Sequence, residues 1–260
     1  MKRSLFPLLA LVAMLSVGCG SSGDFNLISV EEEWQLGQQL SQDIARQVRL
    51  NNDPAANAYV RGLGQKIVAR TPMANLPWEF HVVDDPTINA FAIPGGHVYV
   101  HSGLIAAADN ASELAGVMAH EISHVVARHS TEQLSRQQGL SVLAGIALGQ
   151  NPGAVQQIAA QIVAGGALAR YSREAERESD ELGLRFMFDA GYDPRGMASM
   201  FRKLLAQRES SPGRVEQFFS THPQTEERVR DAERRAAELG TRSGLITDEP
   251  EFQAVRRRFR

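Results

Sequence analysis

The sequence predicts an α+β fold that is mostly helical, with a small sheet beside a helix that carries an HExxH motif. Apolar residues recur at three- and four-residue spacing over most of the chain, which indicates amphipathic helices. Two short segments, residues 78–83 and 97–101, are apolar, are bounded by turn residues and predict strands. The HExxH motif, His120 to His124, lies inside the longest helical segment.

The composition excludes several classes of protein. Of the 260 residues, 43% are hydrophobic and 22% are charged, which suffices for a core in one or two domains. A formal net charge of -3 gives no basic field, so no nucleic-acid partner is expected. The single cysteine excludes an internal disulfide framework and any zinc site built from several cysteines.

The first residues predict an export signal followed by a lipid anchor. Residues 1–18 have a short basic start and an apolar stretch too short to span a bilayer. Cys19 follows in a pattern that resembles a bacterial lipobox, although Ser16 stands where leucine is usual. The alternative is an ordinary signal peptide with an incidental cysteine. With Gly20 after the cysteine and a flexible tether over 19–28, the pattern predicts a periplasmic protein anchored by lipid to the outer membrane.

Capping residues and apolar spacing place the other elements. Ser29 precedes an acidic first helical turn, and a short apolar segment at 89–93 ends at Pro-Gly-Gly. Asn110, with Glu113 three residues later, predicts a capping box and one helix that continues to about residue 138. Further helices are predicted at residues 54–69, 173–190, 194–207 and 226–239.

Residues 140–169 are apolar and rich in alanine and glycine, but residues 150–153 split them. Neither half reaches the roughly 18 apolar residues of a membrane-spanning helix. The segment is therefore expected to be an amphipathic cover over the cleft or to lie on the membrane surface. The basic end of the chain, residues 256–260, is expected either to touch anionic headgroups or to be a solvated helix end.

The HExxH motif places chemistry on one helix. His120 and His124 are four residues apart, so both imidazoles reach one point, and Glu121 lies about 100° round the helix beside it. This arrangement suits two metal ligands and a base that takes a proton from a water on the metal. The alternative is a pair of packed core histidines with a paired glutamate.

A catalytic zinc needs a third protein ligand, and the acidic segment after residue 172 offers candidates. Glu176 and Asp180 share a helix face, so Glu176 suits the ligand and Asp180 suits a group that orients a ligand histidine. Charge spacing alone does not choose among the acids, and a solvated charged helix remains the alternative. The candidate ligands are Glu174, Glu176, Glu178 and Glu181.

Three motifs in order resemble the HtpX and CaaX-endopeptidase superfamily of zinc peptidases. The segment Ser172 to Asp180 resembles the ExxxD signature that follows HExxH in that superfamily, and the segments 89–104 and His222 to Arg228 resemble two further elements. The resemblance covers residues 29–235 and is to the secreted LoiP- and BepA-like branch, in its shorter layout. It implies a zincin-type (gluzincin) peptidase domain over 29–239, followed by a tail over 240–260.

The resemblance also implies the site. One zinc ion is expected on His120, His124 and Glu176, with Asp180 behind a ligand histidine. Glu121 is then the base that activates water for attack on a peptide bond. His222 and Arg228 are the candidates for stabilising the oxyanion, although His222 is alternatively a residue that blocks the zinc at rest.

The segment between Phe91 and Val100 is the candidate for substrate binding. A strand edge there would pair with extended peptides of many sequences, which suits unfolded chains as substrates. The alternative is a plain core strand with an ordinary turn. The other histidines, His81, His97, His101 and His129, are expected to be surface or packing residues. The candidate substrate-binding residues are Phe91, Ala92, Gly95, Gly96 and Val98.

Two functions follow from these residues. The first is a zinc endopeptidase that cleaves unfolded or misassembled envelope proteins. The second is a periplasmic chaperone or assembly factor for outer-membrane proteins, which would work with the outer-membrane protein assembly machinery and show little proteolysis. The intact set of His120, Glu121, His124 and Glu176 favours the enzyme.

Overall fold

The computed structural model describes residues 28–165 and 170–260. The predicted signal, Cys19 and nearly all of the tether lie outside the described residues. The helices are α1 Val30–Ile44, α2 Pro54–Val68, α3 Ser102–Ala107, α4 Ala111–Val126, α5 His129–Gln138, α6 Leu140–Ala147, α7 Pro152–Val163, α8 Arg173–Asp189, α9 Arg195–Ser210, α10 Glu216–Thr221, α11 Glu226–Leu239 and α12 Pro250–Arg256. The strands are β1 Glu79–Val83, β2 Ala90–Ile93 and β3 His97–His101.

The three strands form one mixed sheet in the order β1-β3-β2. β3 is parallel to β1, with Glu79 opposite His97, and antiparallel to β2, with Ala90 opposite Val100. All five residues of the central strand β3 are buried. Gly95 and Gly96 in the β2–β3 turn have φ values of 81° and 91°, which glycine adopts without strain.

The helix with HExxH ends earlier than its sequence predicts. Asn110 caps α4 by accepting from the Glu113 backbone N–H at 3.1 Å, but the Glu113 carboxylate accepts from the Asp109 backbone instead of returning to Asn110. The chain leaves the helix after Val126 because Arg128 takes a left-handed conformation, with φ of 59°. The single predicted helix is therefore two helices, α4 and α5.

Arg128 is held in that conformation by contacts with the start of the described chain. Its Nε donates to the Glu33 carboxylate at 2.7 Å, and its Nη2 donates to the Ile28 carbonyl at 2.6 Å. A left-handed conformation costs a residue other than glycine free energy, which these charged hydrogen bonds offset. No glycine or proline marks the break, so no local signal in the sequence predicts it.

The sheet lies between two hydrophobic clusters. The larger cluster surrounds α4 and includes residues of α2, α8, α9 and α11. The smaller cluster joins the opposite face of the sheet to α1, α6 and α7. Its members include Leu36, Leu40, Tyr99, Leu143 and Ile158.

The apolar segment that begins at residue 140 covers α1 in the described residues. It is split into α6 and α7, as expected, and Asn151 caps α7 by accepting from the Ala154 N–H. Its buried side chains pack in the smaller cluster against α1, and the predicted cover over the cleft stays a prediction. Among the described residues, no helix combines the length and the apolar character that crossing a bilayer requires.

The end of the chain folds against the core. Phe252 of α12 is fully buried, and Arg256 Nη2 donates to Asp109 Oδ1 at 2.5 Å. Arg258 Nη1 lies 2.6 Å from Asp53 Oδ2. Two of the basic groups that were candidates for contact with headgroups are thus paired within the protein. The short helices α3, α10 and α12 have no counterpart among the predicted elements.

Candidate metal centre

Four buried side chains from three elements meet at one point. His120 and His124 lie one turn apart on α4, and their Nε2 atoms are 3.1 Å apart. Glu176, in the first turn of α8, places Oε2 3.6 Å from His120 Nε2 and Oε1 3.4 Å from His124 Nε2. His222, at the end of α10, has Nδ1 2.9 Å from Glu176 Oε1 and 3.3 Å from His120 Nε2. The predicted ligands are therefore brought together, with His222 as a fourth donor.

The donor set fits a divalent metal ion. In a tetrahedral zinc site with bonds of about 2.1 Å, neighbouring ligand atoms are about 3.4 Å apart, close to the separations of these donors. Two imidazoles and one carboxylate are the ligand types that zinc prefers. All four side chains are at most 2% exposed, so an ion between them would be shielded from bulk water.

The second nitrogen of each α4 histidine faces a partner that fixes the ring. His120 Nδ1 lies 2.9 Å from Asp180 Oδ1, as the sequence predicts for Asp180. His124 Nδ1 lies 3.0 Å from His129 Nδ1, which in turn lies 3.3 Å from Ser179 Oγ. Such partners orient metal-binding imidazoles, and here they leave both Nε2 atoms directed at Glu176.

Glu121 is buried beside this cluster without a hydrogen-bond partner in the described residues. Neither carboxylate oxygen has one, and the nearest charged neighbour is His222, whose Nε2 lies 3.4 Å away. Burial raises the pKa of Glu121, while the nearby histidines oppose part of that rise. A buried acid with free oxygens and a raised pKa suits a group that takes up and returns a proton.

Arg228 of α11 holds the two acids of α8. Its Nε and Nη2 each donate to Asp180 at 2.7 Å, and its Nη1 donates to Glu176 Oε2 at 2.5 Å. Burial alone would raise the pKa of both acids, but the cations around them outweigh it and leave both pKa values below the usual range. The guanidinium thus faces the acids, and its predicted role towards an oxyanion stays a prediction.

His222 has the opposite shift to His124. Burial disfavours the charged imidazole of each. For His222 the carboxylates of Glu121 and Glu176 outweigh burial and raise its pKa, whereas burial dominates at His124 and lowers its pKa well below the usual value. His124 is therefore neutral, as a metal ligand must be.

The sequence missed two residues of the site, His129 and Tyr171. The Tyr171 ring stacks on His124 with centroids 3.8 Å apart, and its hydroxyl lies 2.7 Å from Ser130 Oγ. His129 was expected to be a surface or packing residue, but it contacts the ring of the candidate ligand His124. Tyr171 directly precedes the cap of the acidic helix, a position that would have identified it. No feature of the sequence indicated the position of His129, because that position depends on the break in the helix at Arg128.

Only part of the predicted substrate segment reaches the cluster. Phe91 and Ala92 of β2 line a cavity of about 20 Å³ that also touches Glu121, Tyr171 and His222. Gly95 packs against Trp34, and Gly96 packs against Trp78. These two glycines shape the turn and do not line that cavity.

Val98 does not offer a strand edge. It lies in the central strand β3, which pairs with β1 on one side and β2 on the other, so its backbone is unavailable to a peptide. In the described ranges, no strand pairs with the outer edge of β2. The prediction of a substrate-binding strand edge at Val98 is therefore wrong, whereas substrate binding at Phe91 and Ala92 stays a prediction.

A wider cavity of about 390 Å³ reaches the cluster from outside the α8–α11 pair. Glu176 and Arg228 line its inner part, and Tyr171 lines it as well as the smaller cavity. Arg170, Arg173 and Arg177 line the remainder, beside the acid Glu227. The cavity thus reaches Glu176 and Arg228, whereas His120, Glu121 and His124 are not among its lining residues.

An HExxH helix packed against a helix that brings a carboxylate to the same buried point defines the zincin-like class of metallopeptidases. The chain belongs to peptidase family M48, whose sequence pattern matches residues 54–236. This assignment confirms the resemblance drawn from the three motifs.

The chain is similar to proteases from bacteria and mitochondria. It is 34% identical over 221 residues to the beta-barrel assembly-enhancing protease of Escherichia coli K12, covering 82% of this chain and 45% of that protein. It is 30% identical over 246 residues to the protein of that name from Yersinia pestis, covering 91% and 49%. It is 32% identical over 212 residues to mitochondrial metalloendopeptidase OMA1 of Schizosaccharomyces pombe, covering 80% and 62%. The chain spans about half the length of the bacterial relatives.

Proposed function

We propose that the protein is a zinc-dependent endopeptidase that hydrolyses peptide bonds in unfolded or misassembled proteins of the cell envelope. One observation carries the proposal: the unpartnered carboxylate of Glu121 lies beside a buried set of His120, His124 and Glu176 whose spacing fits a metal ion. The family and the metalloendopeptidase name of one relative support the reaction class. The assembly-enhancing protease name of the bacterial relatives supports an envelope substrate.

We assign the metal to His120, His124 and Glu176. When bound, zinc lowers the pKa of a coordinated water towards about 7 and polarises the carbonyl of a peptide. Asp180 and His129 hold the two imidazoles in the orientation that directs Nε2 at the ion. Arg228 holds Asp180 and Glu176 together, so it acts as a positioning residue.

Glu121 moves the protons of the reaction. Its free oxygens accept a proton from the attacking water and return it to the amine of the leaving peptide, which requires one side chain to act as base and then as acid. His222 lies on the same side, with its Nε2 3.4 Å from Glu121. The ring is placed either to donate to the oxyanion through Nε2 or to occupy the fourth ligand position through Nδ1. Its Nδ1 lies 2.9 Å from a ligand oxygen, which favours occupation of that position at rest.

Substrate enters along β2 in this account. Phe91 and Ala92 lie beside Glu121 and His222, and no described strand pairs with the outer edge of β2. Since β2 is buried in this structure, its main-chain groups would have to be uncovered before they pair with an extended peptide. Main-chain pairing accepts many sequences, so unfolded chains are the expected partners. Folded proteins present few free strands and are expected to resist cleavage.

We place the protein in the periplasm, anchored to the outer membrane through lipid on Cys19. The lipobox-like sequence supports this placement. Labelling cells with a radioactive fatty acid tests it, because the wild-type chain should take up label and a Cys19→Ala variant should not.

The reaction is tested by incubating an unfolded protein such as casein with the zinc-loaded chain and, separately, with Glu121→Gln. Cleavage by the wild type and a loss of about 10²–10⁴-fold in the variant are expected, since general acid–base catalysis is worth that much. Equal cleavage by both proteins would remove Glu121 from the mechanism. A folded substrate of the same size is the control for the preference.

The alternative is a chaperone or assembly factor for outer-membrane proteins that keeps the fold and uses little proteolysis. The position of His222 favours this alternative, because a ring nitrogen at a ligand position would keep the site inactive. Complementation of an envelope defect by Glu121→Gln separates the two functions. Failure to rescue supports the enzyme, whereas full rescue would exclude a purely enzymatic role.

A further inference from the structure

A second group of metal-ligating side chains lies on the sheet, at the β1 edge. Glu79 and His81 are two residues apart on β1 and so face the same side. His97 of β3 is directly opposite Glu79 in the parallel register, which places it on that face as well. The pairing of β1 with β3 thus brings together three residues that are 18 positions apart at most.

The ligand atoms of these residues surround one point. Glu79 Oε2 lies 3.6 Å from His81 Nε2 and 3.7 Å from His97 Nδ1. All three lie within 4.8 Å of one another. These separations exceed hydrogen-bond distance but are near the roughly 3.4 Å between neighbouring ligands of a tetrahedral zinc ion.

Two of these nitrogens are buried without a hydrogen-bond partner in the described residues. His97 is 1% exposed, and neither its Nδ1 nor the Nε2 of His81 has one. Buried polar atoms are nearly always satisfied by a protein group, by water or by an ion. Here two such atoms face the same carboxylate oxygen, so a single cation between them would satisfy both.

The surroundings prepare the two rings for a metal. Burial lowers the pKa of His81, and it lowers the pKa of His97 to about 4, so both rings are neutral near pH 7. The His81 ring stacks on Tyr99 with centroids 4.7 Å apart, which fixes its plane. His97 Nε2 lies 3.1 Å from the side-chain amide of Gln38 on α1. When the amide oxygen of Gln38 faces His97, the Nε2–H group of His97 donates a hydrogen bond to it. The Nδ1 atom of His97 then carries no proton, and its lone pair points at Glu79.

We propose that Glu79, His81 and His97 form a second binding site for a divalent transition-metal ion of the zinc type, separate from the HExxH cluster. The donor set of two imidazoles and one carboxylate is the set that zinc prefers. Glu79 is about half exposed, which gives the ion a path from solvent and leaves room for a water ligand. The ion would tie the β1 edge to β3 and, through Gln38, to α1.

Zinc counting tests the site without reference to activity. The full chain, without an affinity tag, is equilibrated with micromolar zinc, separated from free metal and analysed by mass spectrometry of its metal content. Glu79→Gln is expected to hold one zinc fewer per chain than the wild type. Asp84→Asn is the matched control, because this acid directly follows the same strand and is similarly exposed, and it should lose none.

Two further variants test whether the lost zinc ion was bound at this site. His81→Asn should also lose one zinc, and Gln38→Ala should weaken binding of that ion about tenfold or more, as removal of a hydrogen-bond partner of a ligand does. Circular dichroism confirms that each variant is folded. Equal zinc content in the wild type, Glu79→Gln and His81→Asn would overturn the proposal. The comparison depends only on the difference between variants, so failure of the HExxH cluster to bind zinc would be a separate result.

Discussion

At the scale of single residues, the main feature of the candidate metal centre is that it buries several charged side chains. Glu121, Glu176 and Asp180 are buried carboxylates, and Arg228 is the guanidinium buried among them. Arg228 neutralises only part of the negative charge of these carboxylates, and a divalent cation would neutralise the rest. The raised pKa of His222 has the same origin, because Glu121 and Glu176 favour its protonated form. The side chains are therefore arranged for a positive group at the point where the four donors meet.

Arg228→Lys should weaken metal binding more than it weakens the fold. The variant keeps the positive charge but loses the paired hydrogen bonds to Asp180, so Asp180 holds His120 less firmly. We expect the zinc affinity to fall by about 10–100-fold, measured by competition with a chromophoric chelator. Arg177→Lys is the control, since Arg177 lines the same outer cavity but pairs with the exposed Glu227. Similar affinities for both variants would contradict the positioning role.

His222→Ala should raise the rate of peptide cleavage several-fold. The reason is the 2.9 Å separation between His222 Nδ1 and Glu176 Oε1, which puts the ring where a fourth ligand stands. Steady-state cleavage of a fluorogenic unstructured peptide measures the effect. A fall in rate at unchanged zinc content would instead assign His222 to the oxyanion.

The HExxH spacing identified His120, Glu121 and His124, whereas Glu176 was identified only through the resemblance of its segment to the ExxxD signature. His120, Glu121, His124 and Glu176 lie together as predicted. His129 and Tyr171 were missed because their positions depend on the path of the chain after each helix ends. The spacing of Glu174, Glu176, Glu178 and Glu181 also could not choose a ligand, whereas the docking of α8 on α4 does.

At the scale of elements, the contact of α8 with α4 positions the centre. Gly183 of α8 lies against the α4 backbone, where a Cβ atom would be 3.1 Å from the Ala119 carbonyl carbon and from the His120 nitrogen. That close approach brings Glu176 and Asp180 to the histidines. The early end of α4 at Arg128 matters equally, because it returns α5 and His129 to His124.

Gly183→Ala should separate the two helices and weaken the centre. The added methyl group would lie closer to the α4 backbone than ordinary van der Waals contact, so the helices must shift apart and we expect a loss of about 1–3 kcal/mol in the free energy of unfolding. Zinc affinity should fall as well, because the carboxylates move away from the histidines.

Urea denaturation and zinc titration measure the two effects. Gly62→Ala is the control, since that glycine lies on the exposed face of α2 with open space around it, and the variant should gain about 0.5–1 kcal/mol in the free energy of unfolding. Unchanged zinc affinity in Gly183→Ala would contradict the account of the α4–α8 contact.

At the scale of the whole molecule, the sheet separates two clusters that close the fold from both sides. The mostly helical α+β class was predictable from apolar spacing. The strand order β1-β3-β2 was not, because β1 pairs with a strand that does not follow it in the chain. The docking of α12 was also not predictable, since its buried apolar residues Phe252 and Val255 stand in a short stretch that is mostly polar.

Buried histidines on the sheet should make the whole fold sensitive to acid. Burial lowers the pKa of His101 below 6.5, and Asp85 offsets only part of that shift. The unfolded chain then binds a proton more readily than the folded chain. Stability is therefore complete above pH 6.5 and falls as the pH drops from 6.5 through the lower, folded pKa.

His101→Asn should reduce this loss between pH 6.5 and 5, measured by urea denaturation in the presence of a chelator. The amide can still donate to Thr87, which lies 2.8 Å from His101 Nδ1. His81 and His97 have lowered pKa values too, so part of the fall in the free energy of unfolding with decreasing pH should remain. If the free energy of unfolding of His101→Asn depends on pH as steeply as that of the wild type, the pKa of His101 does not change on folding.

The most direct measurement for the central claim follows metal and cleavage in one sample. The chain is stripped with a chelator, zinc is returned in steps, and cleavage of an unfolded protein is recorded for the wild type, Glu121→Gln and Glu176→Gln, with Glu174→Gln as the exposed control on α8. We predict that cleavage returns with zinc in the wild type and in Glu174→Gln. Glu121→Gln should bind the ion without cleaving, and Glu176→Gln should bind it poorly. Cleavage by Glu121→Gln at the wild-type rate, or cleavage by the stripped wild type, would contradict the account.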